Sequence, residues 1–494
     1  MGILLAALLP GGAATGAPAR GDRIAETIEP GIAALFGLGF APGMAVAAVK
    51  DGEVVFARGF GYQDVTTRRA VDPRTSFYIA STTKSLLAPT AALLAQRGAI
   101  DLDAPIARYL PGLKLHDGID PGRVTLRALL THTHGISNDG PVTFRTAFSG
   151  EFTNDLLLRV LSTHPPAEGG NDFQYGNIGY NIAGLVLEAA TGLGWKELVE
   201  REILKPAGMN STTAYISRVP AERLAMPHWP DSTGFHRIYQ AKRDSNMHAA
   251  GGHESTVLDL ARWLEANLDH GRIDGRQVFP AEAIDGTHRI QARQDRAFGP
   301  FQRYGWSFGW DLCTYEGDTL LTRFGSFYGA YRSHLSFMPH RGLGVVVLVN
   351  NGATGSTLAD LVACYIYDRL LGRPGFDEKW SKALADGPGQ LASMRKKIAE
   401  DKARRAARPQ DLPHPLDAYA GEFENPDFGH MQWRVVKGKL EVTMGALWSA
   451  AEVFDNTKEQ IRVELTGGGE VVSFEFEGPK AVAVTYQGAR FARI

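Results

Sequence analysis

The chain has 494 residues, of which 44% are hydrophobic and 21% charged, and its 52 basic and 54 acidic residues leave a formal net charge of −2. That length implies several domains with sizeable cores, and the balanced charge excludes an electrostatic case for nucleic acid or an anionic membrane as partner. Two cysteines, Cys313 and Cys364, are too few for a disulfide framework and lack a zinc spacing, so two buried thiols are expected unless the fold happens to bring them together.

The apolar run Ile3 to Leu9, followed by Ala17-Pro18-Ala19 before Arg20, resembles the core and small-residue cleavage site of a secretory leader, although no Lys or Arg precedes it. Export to the periplasm or medium is the expectation, with a cytoplasmic protein carrying a disordered tail as the alternative, and residues 1–24 are set apart on this basis. The run is too short to cross a bilayer, and no other stretch reads as a membrane span.

Met44 to Gly59 alternates around Asp51-Gly52, a strong hairpin signature. A helix is expected from Ser81, Asp101 to Pro111 turns through Leu102 and Tyr109, and Val124 to Thr131 reads as a compact helix. The middle of the chain is mostly helical in pattern, with Asn177 to Thr191, Gly194 to Leu204 and Thr256 to Leu268. The last of these opens with a capping-box spacing in which Asp259 replaces Glu. From Tyr304 the period returns to two: Tyr304 to Tyr315, Thr319 to Phe324, Tyr331 to Phe337 and Gly344 to Asn350 read as strands, and Ala359 to Leu371 as a helix. Strands at both ends with helices between imply an α+β body over residues 25–372, in which early and late strands share one antiparallel sheet flanked by helices, beside a helical lobe.

Residues 373–412 change character. Gln390 to Arg408, with Lys396, Lys397, Arg404 and Arg405, reads as a charged, solvated connecting helix ending at Pro409. Short alternating segments then follow: Gln432 to Val436, Lys439 to Met444, Gln460 to Leu465, Val471 to Glu477 and Ala481 to Tyr486. They imply a small all-β, barrel-like domain over residues 413–494, separate enough that a chain ending near Gly375 is expected to fold.

Ser81-Thr82-Thr83-Lys84 is the chemical focus. A serine in the first turn of a helix lies near unpaired N–H groups and the positive end of the dipole, and a lysine three residues on shares its face. If that face is buried, desolvation lowers the lysine pKa and lets it take the serine proton. By itself the pattern is equally a helix cap followed by a solvated lysine. Tyr175-Gly176-Asn177 adds a phenol able to act as acid or base and an amide able to orient a carbonyl.

Together these stretches resemble the penicillin-recognising serine hydrolases, a group that includes class C β-lactamases, D,D-peptidases, family VIII esterases and D-aminopeptidases. The likeness extends through Arg97 to Pro105, Tyr109-Leu110-Pro111, Val124 to Thr133, Lys205 to Met209 and Ala250-Gly251-Gly252. By that resemblance Ser81 is the nucleophile, Lys84 its activating partner, Tyr175 the proton shuttle and Asn177 a ligand of the substrate amide. The C-terminal strands look like the small barrel of some D-aminopeptidase-like members. The family's third motif (Lys or His, Thr or Ser, Gly) has its nearest match in Arg323-Phe324-Gly325, followed by Ser326. Arginine holds the cationic position and phenylalanine replaces the hydroxyl. The resemblance implies an oxyanion hole from the backbone N–H groups of Ser81 and Ser326, with Arg323 and Gly325 on the substrate side and Phe324 making the rim more apolar.

Three other patterns invite competing readings. Gly305-Trp306-Ser307-Phe308-Gly309 matches a nucleophile elbow, but strand-like residues rather than a helix follow the serine. His132-Thr133-His134 lacks the acid and histidine that would complete a metal site, and His253-Glu254 lacks a second histidine four residues after the first. The expectation is therefore a serine hydrolase with no metal or organic cofactor, acting on short-chain esters or small amides. The alternatives are a β-lactamase, a D,D-peptidase or D-aminopeptidase, and a catalytically silent peptidoglycan-binding protein. The sequence leaves the oligomeric state open.

Overall fold

The computed structural model describes residues 20–138, 140–239, 242–327 and 329–494. Most of the expected leader, residues 1–19, lies outside the described residues. The remainder of that segment is no disordered tail: a helix begins at Arg20 and runs to Gly37.

The body is built on a nine-stranded antiparallel sheet in which the ends of the region meet. Gly43–Lys50 sits between Leu343–Val349, with Met44 opposite Val349, and its hairpin partner Glu53–Asp64. Asp51 and Gly52 both have positive φ, 51° and 79°, the geometry a two-residue hairpin turn requires. The strand Gly43–Lys50 is buried at every position but the last, which is why it reads as an almost unbroken apolar run. One sheet face is covered by Arg20–Gly37 and Gly355–Leu371 through Ile28, Ile32, Val362 and Ile366. The other carries Lys84–Gln96, Ile178–Thr191 and Val257–Leu268, with Leu87, Ile182, Trp263 and Leu264 in the larger core. Thr125 and Thr256 cap their helices by accepting from the N–H groups of Ala128 and Asp259.

The structure departs from the sequence-based expectation in three places. The stretch Tyr304 to Tyr315 is two strands, Phe301–Trp306 and Asp311–Tyr315, broken by a tight turn over Ser307 to Trp310. Gly194 to Leu204 is a short α-helix that widens into a π-helix at Glu200–Leu204. The connecting helix is longer and less solvated than its charge suggests. It spans Phe376–Ala406, and its first half packs Trp380 and Leu391 into the core beneath Tyr365, with the Trp380 indole N–H donating to Asp368 at 3.1 Å.

The C-terminal sheet also has nine strands, among them the five segments read from alternation. Its two edge strands, Leu447–Ala450 and Glu452–Asp455, are separated by one residue of chain, so the sheet curls into a nearly closed barrel. Trp433, Phe474, Phe423 and Phe491 fill it. The barrel sits against the helical lobe. Arg145, itself buried, donates to the carbonyls of Asp427 (2.5 Å) and Pro426 (3.3 Å) in one barrel turn, and Ala446 N–H in another turn donates to Ser149 at 2.8 Å. Among the described residues no helix is long and apolar enough to cross a membrane. Cys313 and Cys364 are both buried and free, their thiols pushed up in pKa by burial.

Candidate active site

Ser81 lies in a 3₁₀ turn, Ala80–Thr83, that runs directly into the α-helix Lys84–Gln96. Ala80 has φ 45°, a left-handed conformation costing an alanine about 1–2 kcal/mol. The turn is clamped to the sheet: the Ser333 hydroxyl lies 2.8 Å from both Ile79 O and Thr82 Oγ1. Gly325 makes that clamp possible, because a Cβ there would lie 2.0 Å from the Ile79 carbonyl oxygen. Thus the strand Asp318–Phe327 comes edge-on to the segment bearing Ser81.

Lys84 is fully buried. Its Nζ is 3.2 Å from Ser81 Oγ, 2.8 Å from Asn177 Oδ1 and 2.8 Å from the Ala250 carbonyl oxygen. Two of these partners only accept hydrogen bonds. A neutral amine has two N–H donors and one lone pair, so satisfying Asn177 and Ala250 leaves the lone pair facing the serine hydroxyl. Burial above all, with a smaller push from Arg323, brings the Lys84 pKa down to about 8 against the opposing pull of Tyr175 and Asp311.

Tyr175 closes the group. Its ring lies 5.0 Å from Lys84 Nζ and 5.0 Å from the Arg323 guanidinium carbon. Its hydroxyl faces Ser81 and Lys84, though among the described residues it has no hydrogen bond of full geometry. Burial raises the phenol pKa, but Arg323, Lys84 and Ser81 outweigh it and bring the value down to about 8. Lysine and phenol are therefore poised together, one proton away from exchanging roles.

The supports come from several elements. Asn138 Oδ1 accepts the N–H groups of Asn177 (2.7 Å) and Ile178 (3.3 Å), fixing the start of the helix Ile178–Thr191 behind Tyr175. His132 lies beneath Tyr175 with ring centroids 4.8 Å apart, beside Trp306 at 4.6 Å. The Leu130 carbonyl, just before it, accepts from both Tyr180 Oη and Trp306 Nε1. Burial, then the charge of Lys84, holds His132 neutral. His132 and His134 are thus built into the wall of the site, His134 Nδ1 accepting from Ile136 N–H. In the sequence they showed only as an incomplete metal motif.

The third-motif residues divide. Arg323 is 4% exposed and lies behind Tyr175, its Nη1 3.3 Å from Asp311 Oδ2 and its carbon 5.0 Å from the Trp306 ring. It is paired inside rather than presented at a cleft mouth, so the expected anion anchor is already occupied by Asp311. Phe324 faces the other side of the sheet, 5.0 Å from Phe298 and 4.9 Å from His334 between ring centroids. It does not rim the site, because alternate residues of a strand point to opposite faces. Ser326 is exposed at the strand end, paired in register with Arg332.

The elbow-like Ser307 is fully buried, its hydroxyl 3.4 Å from the Trp310 carbonyl. Its flanking Gly309 has φ 88°, and a Cβ there would lie 2.4 Å from the Lys84 carbonyl oxygen. That glycine serves the close approach of the turn to the lysine helix. Two partners escaped the sequence reading: Asp311, an unremarked strand residue 12 positions before Arg323, and the Ala250 carbonyl, a backbone atom that only the adjacent Gly251-Gly252 hinted at.

Comparison with known proteins agrees with this architecture. A match to the family described as Beta-lactamase covers residues 32–363, well over half of the chain. Protein flp of Staphylococcus aureus (strain MW2) is 29% identical over 177 residues, 35% of this chain and 35% of that protein. Penicillin-binding protein 4* of Bacillus subtilis (strain 168) is 29% identical over 186 residues, 36% of this chain and 39% of that protein. The matched region thus spans little more than a third of these relatives. Among solved structures, the octameric penicillin-binding protein homologue from Pyrococcus abyssi superposes with a TM-score of 0.58 at 22% identity, over 96% of this chain and 99% of that one. SurE does so with a TM-score of 0.57 at 19% identity, over the same shares. At these identities the likeness is one of fold. The chain belongs to the beta-lactamase family, whose members are serine-hydrolase-like.

Proposed function

We propose that the protein hydrolyses small acyl compounds through an acyl-enzyme on Ser81. The observation that carries this reading is the three-way hold on Lys84, which leaves an amine lone pair directed at Ser81 Oγ 3.2 Å away. Lys84 takes the serine proton as the hydroxyl attacks the acyl carbon. Tyr175, whose phenol lies beside both groups, gives its own proton to the leaving atom as the carbonyl reforms and is reprotonated by the Lys84 ammonium. Water follows the same path in reverse and frees the acid. The backbone N–H groups of Ser81 and Ser326 stabilise the developing oxyanion, and Asn177 orients the substrate while holding Lys84.

Short-chain esters and small amides are the substrates we favour over β-lactams. An apolar rim at Phe324 gives no support, since that side chain faces away. The support is Arg323: its charge is engaged with Asp311, leaving it poorly placed to hold a substrate carboxylate. A missing hydrogen bond to a charged group costs about 1.5–3 kcal/mol, roughly one to two powers of ten in binding. A D-amino-acid amide or peptide fits the same chemistry.

Intact-mass measurement after exposure to activated acetate and butyrate esters, β-lactams and D-amino-acid amides tests both parts. A single acyl adduct, absent in Ser81→Ala and present in Ser307→Ala, is the expected result. No adduct from any member would favour a silent binding protein, and faster turnover of a cephalosporin than of an acetate ester would overturn the substrate preference.

A further inference from the structure

Asn177 and Asn181 stand one helical turn apart at the start of Ile178–Thr191, on the same side of the helix. Asn177 holds Lys84 directly. Asn181 is only 5% exposed. Its Oδ1 lies 3.3 Å from the N–H of Ala250, the residue whose carbonyl receives Lys84 Nζ at 2.8 Å. We propose that Asn181 is a positioning residue for the catalytic lysine, fixing the Ala250 backbone so that its carbonyl is aimed at the amine. This rests on the reading that Lys84 activates Ser81.

The direction of every bond in the relay follows from its neighbours. The Thr146 hydroxyl donates its one hydrogen to the Val142 carbonyl at 2.8 Å, so toward Asn181 Nδ2, 2.9 Å away, Thr146 Oγ1 accepts. That places the Asn181 amide nitrogen toward Thr146 and its oxygen toward the Ala250 loop. The same oxygen is 3.1 Å from His248 Nδ1. His248 is buried and its pKa is driven well below the usual histidine range, first by burial and then by Lys242 and Lys84. As a neutral ring facing an acceptor, it carries its proton on Nδ1. Asn181 thus uses its donor on Thr146 and its acceptor on both Ala250 and His248. Its helix neighbours Ile178, Ile182 and Leu185 fill space with apolar side chains. A packing role at position 181 would call for the same.

The far end of the relay is also fixed. Thr146 belongs to the π-helical turn Arg145–Ser149, all of it buried. That turn is held by Lys242 Nζ on the Ala147 carbonyl (2.7 Å), Asn246 Nδ2 on the Phe148 carbonyl (3.0 Å) and the barrel's Ala446 N–H on the Ser149 carbonyl (2.8 Å). The lysine is therefore oriented, through Asn181 and one loop, by an element that the C-terminal barrel braces.

The charged and titratable groups facing Lys84 are Tyr175 and Tyr180, Arg323 with Asp311 behind it, and the neutral His132 and His248. Of these groups only His248 contacts Asn181, and as a neutral ring it adds no charge beside Lys84, so Asn181→Leu leaves the charges facing the amine unchanged. Two readouts test the proposal on the full-length chain. The first is the pH profile of 4-nitrophenyl acetate turnover. The second is the titration of Lys84 by NMR of its Cε carbon in lysine-labelled Ser81→Ala protein, assigned with Lys84→Arg. Asn181→Leu removes the hold on Ala250. The ammonium then loses an oriented acceptor, so the Lys84 titration and the acid limb of the profile move to lower pH. Turnover at the plateau falls about tenfold or more with KM unchanged. Asn181→Asp keeps the acceptor, restores most of the plateau, and moves the titration upward through its added charge. A folded Asn181→Leu protein with the wild-type titration overturns the proposal, as does a loss of amplitude with no displacement. If Asn181→Leu does not fold, an unmoved titration in Asn181→Asp overturns it. Wild-type protein that is never acylated on Ser81 defeats the catalytic reading instead, and the NMR titration still decides the positioning.

Discussion

Arg323 and Phe324 are adjacent in sequence and look in opposite directions from one strand. The Arg323 guanidinium lies 5.0 Å from the Tyr175 ring, whereas the Phe324 ring stacks 5.0 Å from Phe298 on the far face of the sheet. The alternation of a strand thus separates a residue of the site from one of the core.

Phe324→Thr is accordingly a stability variant and not a specificity variant. Phe324 is 4% exposed among Phe298, Phe301 and His334. Truncation to a small polar side chain should cost about 2–4 kcal/mol, read as a lowered midpoint in denaturant melts. The ratio of ester to β-lactam kcat/KM should not change, and a shift of tenfold toward β-lactams would show that Phe324 reaches the substrate.

On the proposed mechanism the Lys84–Tyr175 pair sets the pH dependence. Both groups are brought to about 8, the lysine downward from 10.5 and the phenol downward from 10.0. The reactive form has one proton fewer than the fully protonated pair, so kcat/KM should rise about tenfold per pH unit below the lower apparent pKa and level off near 8. Lys84→Ala and Tyr175→Phe should each lower turnover by roughly 10²–10⁴. Steady-state kinetics across pH checks both, and near-normal turnover in Tyr175→Phe would move the proton path to another group.

Buried histidines predict an acid-labile fold. Burial lowers His134 to about 4, and burial with the nearby charge of Lys196 lowers His253 to about 3, from 6.5 in the unfolded chain. The unfolded state binds more protons wherever pH lies below 6.5 and above these folded values, so stability falls as pH falls through that window. His134 alone accounts for roughly 3 kcal/mol of the loss. Urea melts at a series of pH values should show it, and His134→Gln should flatten the slope.

Where the chain can be cut follows from the long helix. A chain ended after Gly375 lacks Trp380 and Leu391, which are 4% and 6% exposed in the body core, and should lose about 3–5 kcal/mol on the tryptophan alone. A chain ended after Arg408 keeps both. It loses only the barrel, exposing Phe144, whose ring meets Phe428 and Tyr486 across the contact. Thermal melts of the two truncated chains should place the Arg408 form well above the Gly375 form; equal midpoints would show that the helix is a mere tether.

Periodicity and turn chemistry carry far in this chain. Asp51-Gly52 announced its hairpin because both residues tolerate positive φ, and Thr256 marked a helix start because a hydroxyl is needed where N–H groups lack partners. The spacing of Ser81 and Lys84 likewise put both on one face before any fold was known, since three residues make nearly one turn. Local pattern has no access to burial or to partners distant in sequence. That Lys84 is fully enclosed, held by Asn177 from one element and Ala250 from another, depends on side chains and a carbonyl 93 and 166 residues away. The same holds for Arg323, whose type suggested an anion anchor until packing set Asp311 against it. The sequence by itself determined which residues are candidates for the chemistry and the secondary structure beneath them, because those are read over a few residues. Only the tertiary structure decided their protonation, their orientation and the fate of Phe324, because desolvation and facing are properties of the packed whole.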